Sequence, residues 1–245
     1  MSAAVSFITS AISLVFALTV LDQYMEKRKP YQLVWSIGLG LYAVASFLQG
    51  LWGVDVNGAV VFRLWYFTGA MLVAAYLGMG TIYLLVPRKI AHVAMAVLVA
   101  LTLAAFVWAM GVSLSSKVSF MEGQALTSVV PGVESHRYYP AYVGALTAFL
   151  NSAGALALVG GATYSAFVYL RRKEPGHRVV SNVLIAIGSL VSAGAGILEK
   201  FDVPEPHTVA LLLGVVIIYI GFLRSREVFS VYRIPFMRRT KEGKT

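Results

Sequence analysis

Runs of about twenty apolar residues recur along the chain, each closed by a short polar or basic break. At 1.5 Å per residue, such a run crosses a hydrocarbon core about 30 Å thick. The pattern predicts an all-α fold: a polytopic membrane protein with a bundle of seven transmembrane helices, at about 3–24, 31–52, 62–86, 89–112, 140–170, 178–199 and 207–224. Residues 1–224 therefore read as one transmembrane domain, with a basic tail at 225–245. The first run lacks a basic segment before it and has Asp22, Lys27, Arg28 and Lys29 after it, which reads as a retained span and not a cleaved leader. All eight prolines (Pro30, Pro87, Pro131, Pro140, Pro175, Pro204, Pro206 and Pro235) fall between runs or at their edges. Proline breaks a helix from inside, so their placement supports the same segmentation and predicts straight spans. The long connection at 113–139 is polar and fits either a small hairpin or a plain ordered loop.

Composition agrees: 58% of residues are hydrophobic, 13% are charged, and the mean hydropathy is +0.76. A soluble domain carries about twice that charge. The absence of cysteine excludes disulfides, thiolate metal sites and cysteine nucleophiles.

Charge sets the orientation. Lys27, Arg28 and Lys29, Arg88 and Lys89, Arg171, Arg172, Lys173 and Arg178, and seven cations from Arg224 onward lie on one side, making sixteen of the twenty basic residues. The other side has only Arg63, Lys117, Arg137 and Lys200. Basic loops stay in the cytoplasm, which predicts the N-terminus outside and the C-terminus inside. The net charge of +9 then reflects this asymmetry and signals no nucleic-acid partner. The expected partner is the bilayer itself, with anionic inner-leaflet lipids drawn to the basic tail.

A shift of 145 residues, without gaps, lays the first three spans on the last three. Tyr24 falls on Tyr169, Pro30 on Pro175, Val34 on Val179, Ser36 on Ser181, Leu39 on Leu184 and Gly69 on Gly214. The odd fourth span keeps both halves in one orientation, so the expectation is a parallel 3+1+3 pseudo-repeat, an arrangement used by carriers. Chance alignment of two basic loops flanked by apolar helices is the competing explanation.

Helices in lipid associate where small residues let backbones approach. Such positions recur at Gly188, Ser192 and Gly196, at Ala153, Ala157, Gly161 and Ser165, and at Ala70, Ala74 and Gly78. They predict interior seams or, for some, the face of a homo-oligomer or a membrane-complex partner. Trp52, Trp65, Tyr66, Tyr138 and Tyr139 fit an outer interfacial belt, and Tyr24, Tyr31, Trp35, Tyr169 and Tyr232 an inner one.

The middle of every span lacks Asp, Glu, Lys, Arg and His. An ionisable group at that depth is the usual mark of function. Its absence argues against a carboxylate proton relay, a retinal lysine or haem ligands, so no cofactor, no metal and no catalytic residue is expected. The interior candidates are uncharged and polar: Asn151 and Ser152 in the fifth span, with Tyr76, Gln49 and Thr68. They fit either interhelical hydrogen bonds or a pocket for a small neutral ligand. Arg63, Glu199, Lys200 and His207 form an expected ionic cluster at the outer rim, with Arg63 pairing to Glu199 as a tie between helices.

The stretches KRKPYQLVWSIGLGLYAVASF and FRLWYFTGAMLVAAYLGMGTIYLL resemble seven-span bacterial membrane proteins to which no activity is attached. In architecture the chain is similar to the broad transporter, opsin and receptor group with 3+1+3 topology. It departs from the sugar carriers of that group in lacking a Pro-Gln dipeptide, and from opsins in lacking the lysine. The resemblance implies a fold and a multi-pass location in a plasma or bacterial inner membrane, and it carries no site residue. The functional expectation is a carrier or facilitator for a small neutral or amphiphilic molecule, not an enzyme. The alternative is a seven-span sensor or regulatory scaffold, with loop 113–139 sensing and the tail meeting a partner.

Overall fold

The computed structural model describes residues 2–56, 58–114, 139–172, 176–198 and 204–225. These residues are all-helical. The helices are α1 Ser2–Lys27, α2 Pro30–Trp52, α3 Ala59–Leu85, α4 Arg88–Gly111, α5 Ala141–Arg171, α6 Gly176–Leu198 and α7 Pro204–Ser225. Six are long and apolar enough to cross a membrane; the apolar part of α6, Val179–Ala195, is shorter. Most of the 113–139 connection and of the tail lies outside the described residues.

The prolines act as helix starters. Pro30 opens α2, Pro204 opens α7, and Pro87 and Pro140 precede α4 and α5. The first turn has no intrahelical use for their missing N–H, so proline is tolerated there. At the α1–α2 turn Arg28 adopts a left-handed φ of 51°, and its N–H donates to Tyr24 O at 2.7 Å.

Six helices close a ring in the order α1, α2, α3, α5, α6, α7 and back to α1. Helix α4 stands outside this ring, packed mainly on α3. It is tied there at three levels: Tyr83 to His92 Nδ1 at 2.9 Å, Tyr76 to Thr102 at 3.3 Å, and Arg63 to the last carbonyls of α4. Lys27–Lys29, Arg88, Lys89, Arg171, Arg172 and Arg224 sit at helix termini that share one end of the bundle, called here the basic end.

Glycine lets the ring close. A Cβ on Gly78 would lie 2.7 Å from Gly154 Cα, and one on Gly154 would strike the Ala74 carbonyl, so α3 and α5 meet backbone to backbone. A Cβ on Gly188 would lie 2.7 Å from Gly214 O, which puts α6 and α7 in similar contact. Burial against lipid-like neighbours adds little in a membrane, so such close approach is the main attraction available. The predicted α5 seam is shifted by the structure. Gly154, Gly161 and Ser165 are buried, whereas Ala153 is exposed. A strict spacing of four drifts around a helix of 3.6 residues per turn.

Two further expectations are corrected. Helix α3 is not regular, because Tyr66–Leu72 forms a π-helical segment between two α-helical parts. Trp52, Tyr66 and Tyr139 do not face an interface; they are buried together with Phe62 in the packing of the opposite end. There Tyr66 and Tyr139 have ring centroids 4.7 Å apart.

Candidate ligand site

The ring holds a partly open cavity of about 70 Å³ toward its basic end. All six ring helices contribute to its wall and α4 does not. The wall is mostly apolar: Phe16 and Val20 come from α1, Leu39 from α2 and Phe222 from α7. Small residues Gly161, Ala162 and Ser165 on α5 leave the space open on one side. The wall also carries the Asn182 amide of α6, and two more of its polar groups are engaged, since Trp35 Nε1 donates to Leu77 O at 3.1 Å and Thr81 Oγ1 to the same carbonyl at 3.3 Å. Gly80 makes room for the Trp35 ring, which lies where a Cβ would be. The volume is about half of the roughly 150 Å³ apolar cavity that admits a benzene ring. It therefore fits a molecule of a few heavy atoms, and no charged residue lines it among the described residues.

The candidates read from sequence lie elsewhere, and none lines this cavity. Asn151 is half-buried, and its Nδ2 donates to Ala70 O at 2.6 Å. Ala70 lies in the π segment, whose wider turn takes carbonyls out of the α register, so the amide supplies a partner from the neighbouring helix. Thr68 is buried in the same segment and donates to Leu64 O at 2.7 Å. Tyr76 turns toward α4 through Thr102, away from the ring interior. Gln49 is half-buried near the end of α2, and Ser152 is exposed. The structure thus brings Asn151 and Thr68 to one α3–α5 level and separates Tyr76 and Ser152 from them.

At the opposite end, Arg63 Nη1 donates to Ala109 O at 2.6 Å and to Met110 O at 3.0 Å. A guanidinium there meets the orphan carbonyls and negative end of the α4 dipole. Tyr139 donates to the same Ala109 O at 2.9 Å. Burial pushes its phenol up to about 12, against the lowering effect of the Arg63 guanidinium. Glu199 and Lys200, the expected companions of Arg63, lie outside the described residues. His207 is buried at the start of α7.

Sequence reading passed over one set of inward groups. Ser6, Thr9 and Ser13 of α1 are all buried. Their signal was present: three hydroxyls at spacings of three and four in an otherwise apolar run lie on one helix face.

No family model, no curated protein and no solved structure matches the chain.

Proposed function

We propose that the chain is a membrane carrier or facilitator for a small neutral or amphiphilic molecule, held in the cavity of the six-helix ring. The observation that carries this reading is the cavity wall, to which every ring helix contributes. Relative movement of any ring helix would therefore change the space and the ligand's contacts.

The order of neighbours in the ring favours a carrier further. Exchanging α1, α2 and α3 with α5, α6 and α7 maps the α1–α2, α2–α3 and α3–α5 contacts onto α5–α6, α6–α7 and α7–α1. Two three-helix units related by a twofold axis, joined through an outlying α4, would have this order. It agrees with the 145-residue offset in sequence. The basic end then faces the cytoplasm, with the N-terminus outside, the C-terminus inside and anionic lipid headgroups beside the cations. Gln49, Thr68 and Asn151 lie on ring helices toward the opposite end, away from the cavity wall.

Reconstitution into proteoliposomes with a panel of neutral solutes and short amphiphiles tests the reading. Ala162→Leu projects three more carbons into the cavity, so uptake of the accepted solute falls at least tenfold while the protein stays folded. Uptake unchanged by that substitution removes the cavity from the mechanism. Orientation is tested on the cysteine-free chain. A membrane-impermeant maleimide added outside cells labels Asp55→Cys and not Lys29→Cys, and the reverse result inverts the topology.

A sensor or scaffold is the second reading, favoured by the backbone contacts at Gly78–Gly154 and Gly188–Gly214, which suit a rigid body. Recovery of a stoichiometric partner from native membranes supports it, and recovery of the chain alone or as a homo-oligomer counts against it.

A further inference from the structure

The cavity wall differs from one side to the other. In the ring order α5 lies opposite α1, and the 145-residue offset sets Gly161 on Phe16 and Ser165 on Val20. All four residues line the cavity. At these two positions α1 supplies a bulky apolar side chain, and α5 supplies first no side chain and then a hydroxyl. Ser165 keeps 8% of its surface accessible. A helical hydroxyl ordinarily returns its proton to the carbonyl four residues back, as Thr19, Thr102, Thr147 and Thr163 do. Among the described residues, the Ser165 hydroxyl makes no such bond.

Asn182 of α6 belongs to the same corner of the wall. Helices α5 and α6 are neighbours in the ring and run in opposite directions. Ser165 stands six residues before Arg171, the last of α5, and Asn182 six residues after Gly176, the first of α6. Both therefore lie about 9 Å along the axis from the basic end of their helices, at one level. Both line the cavity. The other polar wall residues, Thr81 and Trp35, direct their protons to Leu77 O. An amide offers two N–H donors and a carbonyl acceptor, and a serine hydroxyl one donor and two acceptor sites. The pair can thus both give and take a hydrogen bond, even with one of those sites used elsewhere.

We infer that Ser165 and Asn182 form the polar subsite of the cavity, and that the ligand is a short neutral alcohol or amide. Its polar group lies at the α5–α6 corner, and its carbon chain lies against Phe16, Val20 and Phe222 of α1 and α7. A hydroxyl or an amide both donates and accepts, which matches the pair. A carboxylate or ammonium meets no counter-charge in the described wall, and a pure hydrocarbon draws nothing from the corner. The inference rests on the reading of the cavity as the ligand site.

Trp35 in the cavity wall provides the readout, because bromine quenches indole fluorescence on contact. The probes are 3-bromo-1-propanol and 1-bromopropane, which differ by one hydroxyl. The Trp35 signal is the difference between each protein and the same protein carrying Trp35→Phe. Ser165→Ala removes a single oxygen, and Asn182→Leu replaces the amide by a side chain of similar size. Both probes are expected to quench Trp35 saturably. Each substitution weakens the bromoalcohol about fivefold and leaves the bromoalkane unchanged or tighter. Should Asn182→Leu fail to fold, Ser165→Ala decides by itself. Bromoalcohol binding that Ser165→Ala leaves unchanged overturns the polar subsite and keeps the cavity reading intact. A loss shared equally by both probes does the same, because it marks a distorted wall. Saturable quenching by neither probe overturns the cavity reading, and the subsite with it.

Discussion

Around the cavity, α1 and α7 meet largely through rings, with Phe16 stacked on Tyr219 at 4.6 Å and packed on Phe222 at 5.1 Å, while α2 and α3 share one hydrogen bond, from Trp35 Nε1 to Leu77 O. Toward the opposite end neighbouring helices meet through directed polar contacts. Ser10 donates to Ala43 O at 2.8 Å across α1 and α2, Asn151 to Ala70 O across α3 and α5, and Tyr66 pairs with Thr147 at 3.1 Å at the same crossing. The two kinds of joint differ in what movement costs. Apolar faces can slide against each other or against lipid with little change in solvation, whereas a hydrogen bond broken in hydrocarbon leaves two groups without water to replace the partner. The crossings that carry such hydrogen bonds therefore resist displacement, and the ring contacts between Phe16 and α7 resist it less.

That contrast can be broken by substitution, and the expected losses decline from the backbone joints to the cavity wall. Gly154→Leu drives a side chain into the Ala74 carbonyl and costs about 3 kcal/mol or more, read as loss of folded protein on thermal unfolding in detergent. An unchanged transition would show that α3 and α5 do not touch there. Arg63→Met leaves two α4 carbonyls without their charged donor and costs about 2 kcal/mol, with accelerated proteolysis in the 113–139 connection as a second readout. Asn151→Leu strips Ala70 O of its partner and costs about 1 kcal/mol. Ala162→Leu enters space that already exists and shifts stability by less than about 1 kcal/mol. If Ala162→Leu proves as damaging as Asn151→Leu, the cavity wall is as rigid as the other end and the comparison fails.

Each part of this contrast was legible to a different degree. The serine and threonine face of α1 was open to reading, because helix periodicity alone puts Ser6, Thr9 and Ser13 together. The Gly188 and Gly78 contacts were marked by small residues at helical spacing. Gly154 was missed because a count of four from Gly161 selects Ala157 and Ala153. Nothing in the stretch Tyr66–Leu72 distinguishes a π segment from an α turn, since the difference lies in which carbonyl each amide finds. The destination of Arg63 was equally hidden, because the α4 carbonyls it caps are 46 and 47 residues away.

The sequence by itself determined the helices, their approximate limits, and the gathering of cations at one end. Those properties depend on local hydropathy, on proline's missing N–H and on charge, and each acts within a segment of one span. Only the tertiary structure decided that six helices form the ring and α4 stands outside it. It also decided that Asn151 serves a neighbouring backbone and that a cavity opens between Phe16, Leu39, Ala162 and Phe222. A cavity is space left over when six faces meet, and its walls come from residues as far apart in the chain as α1 and α7, so no single stretch of sequence records it.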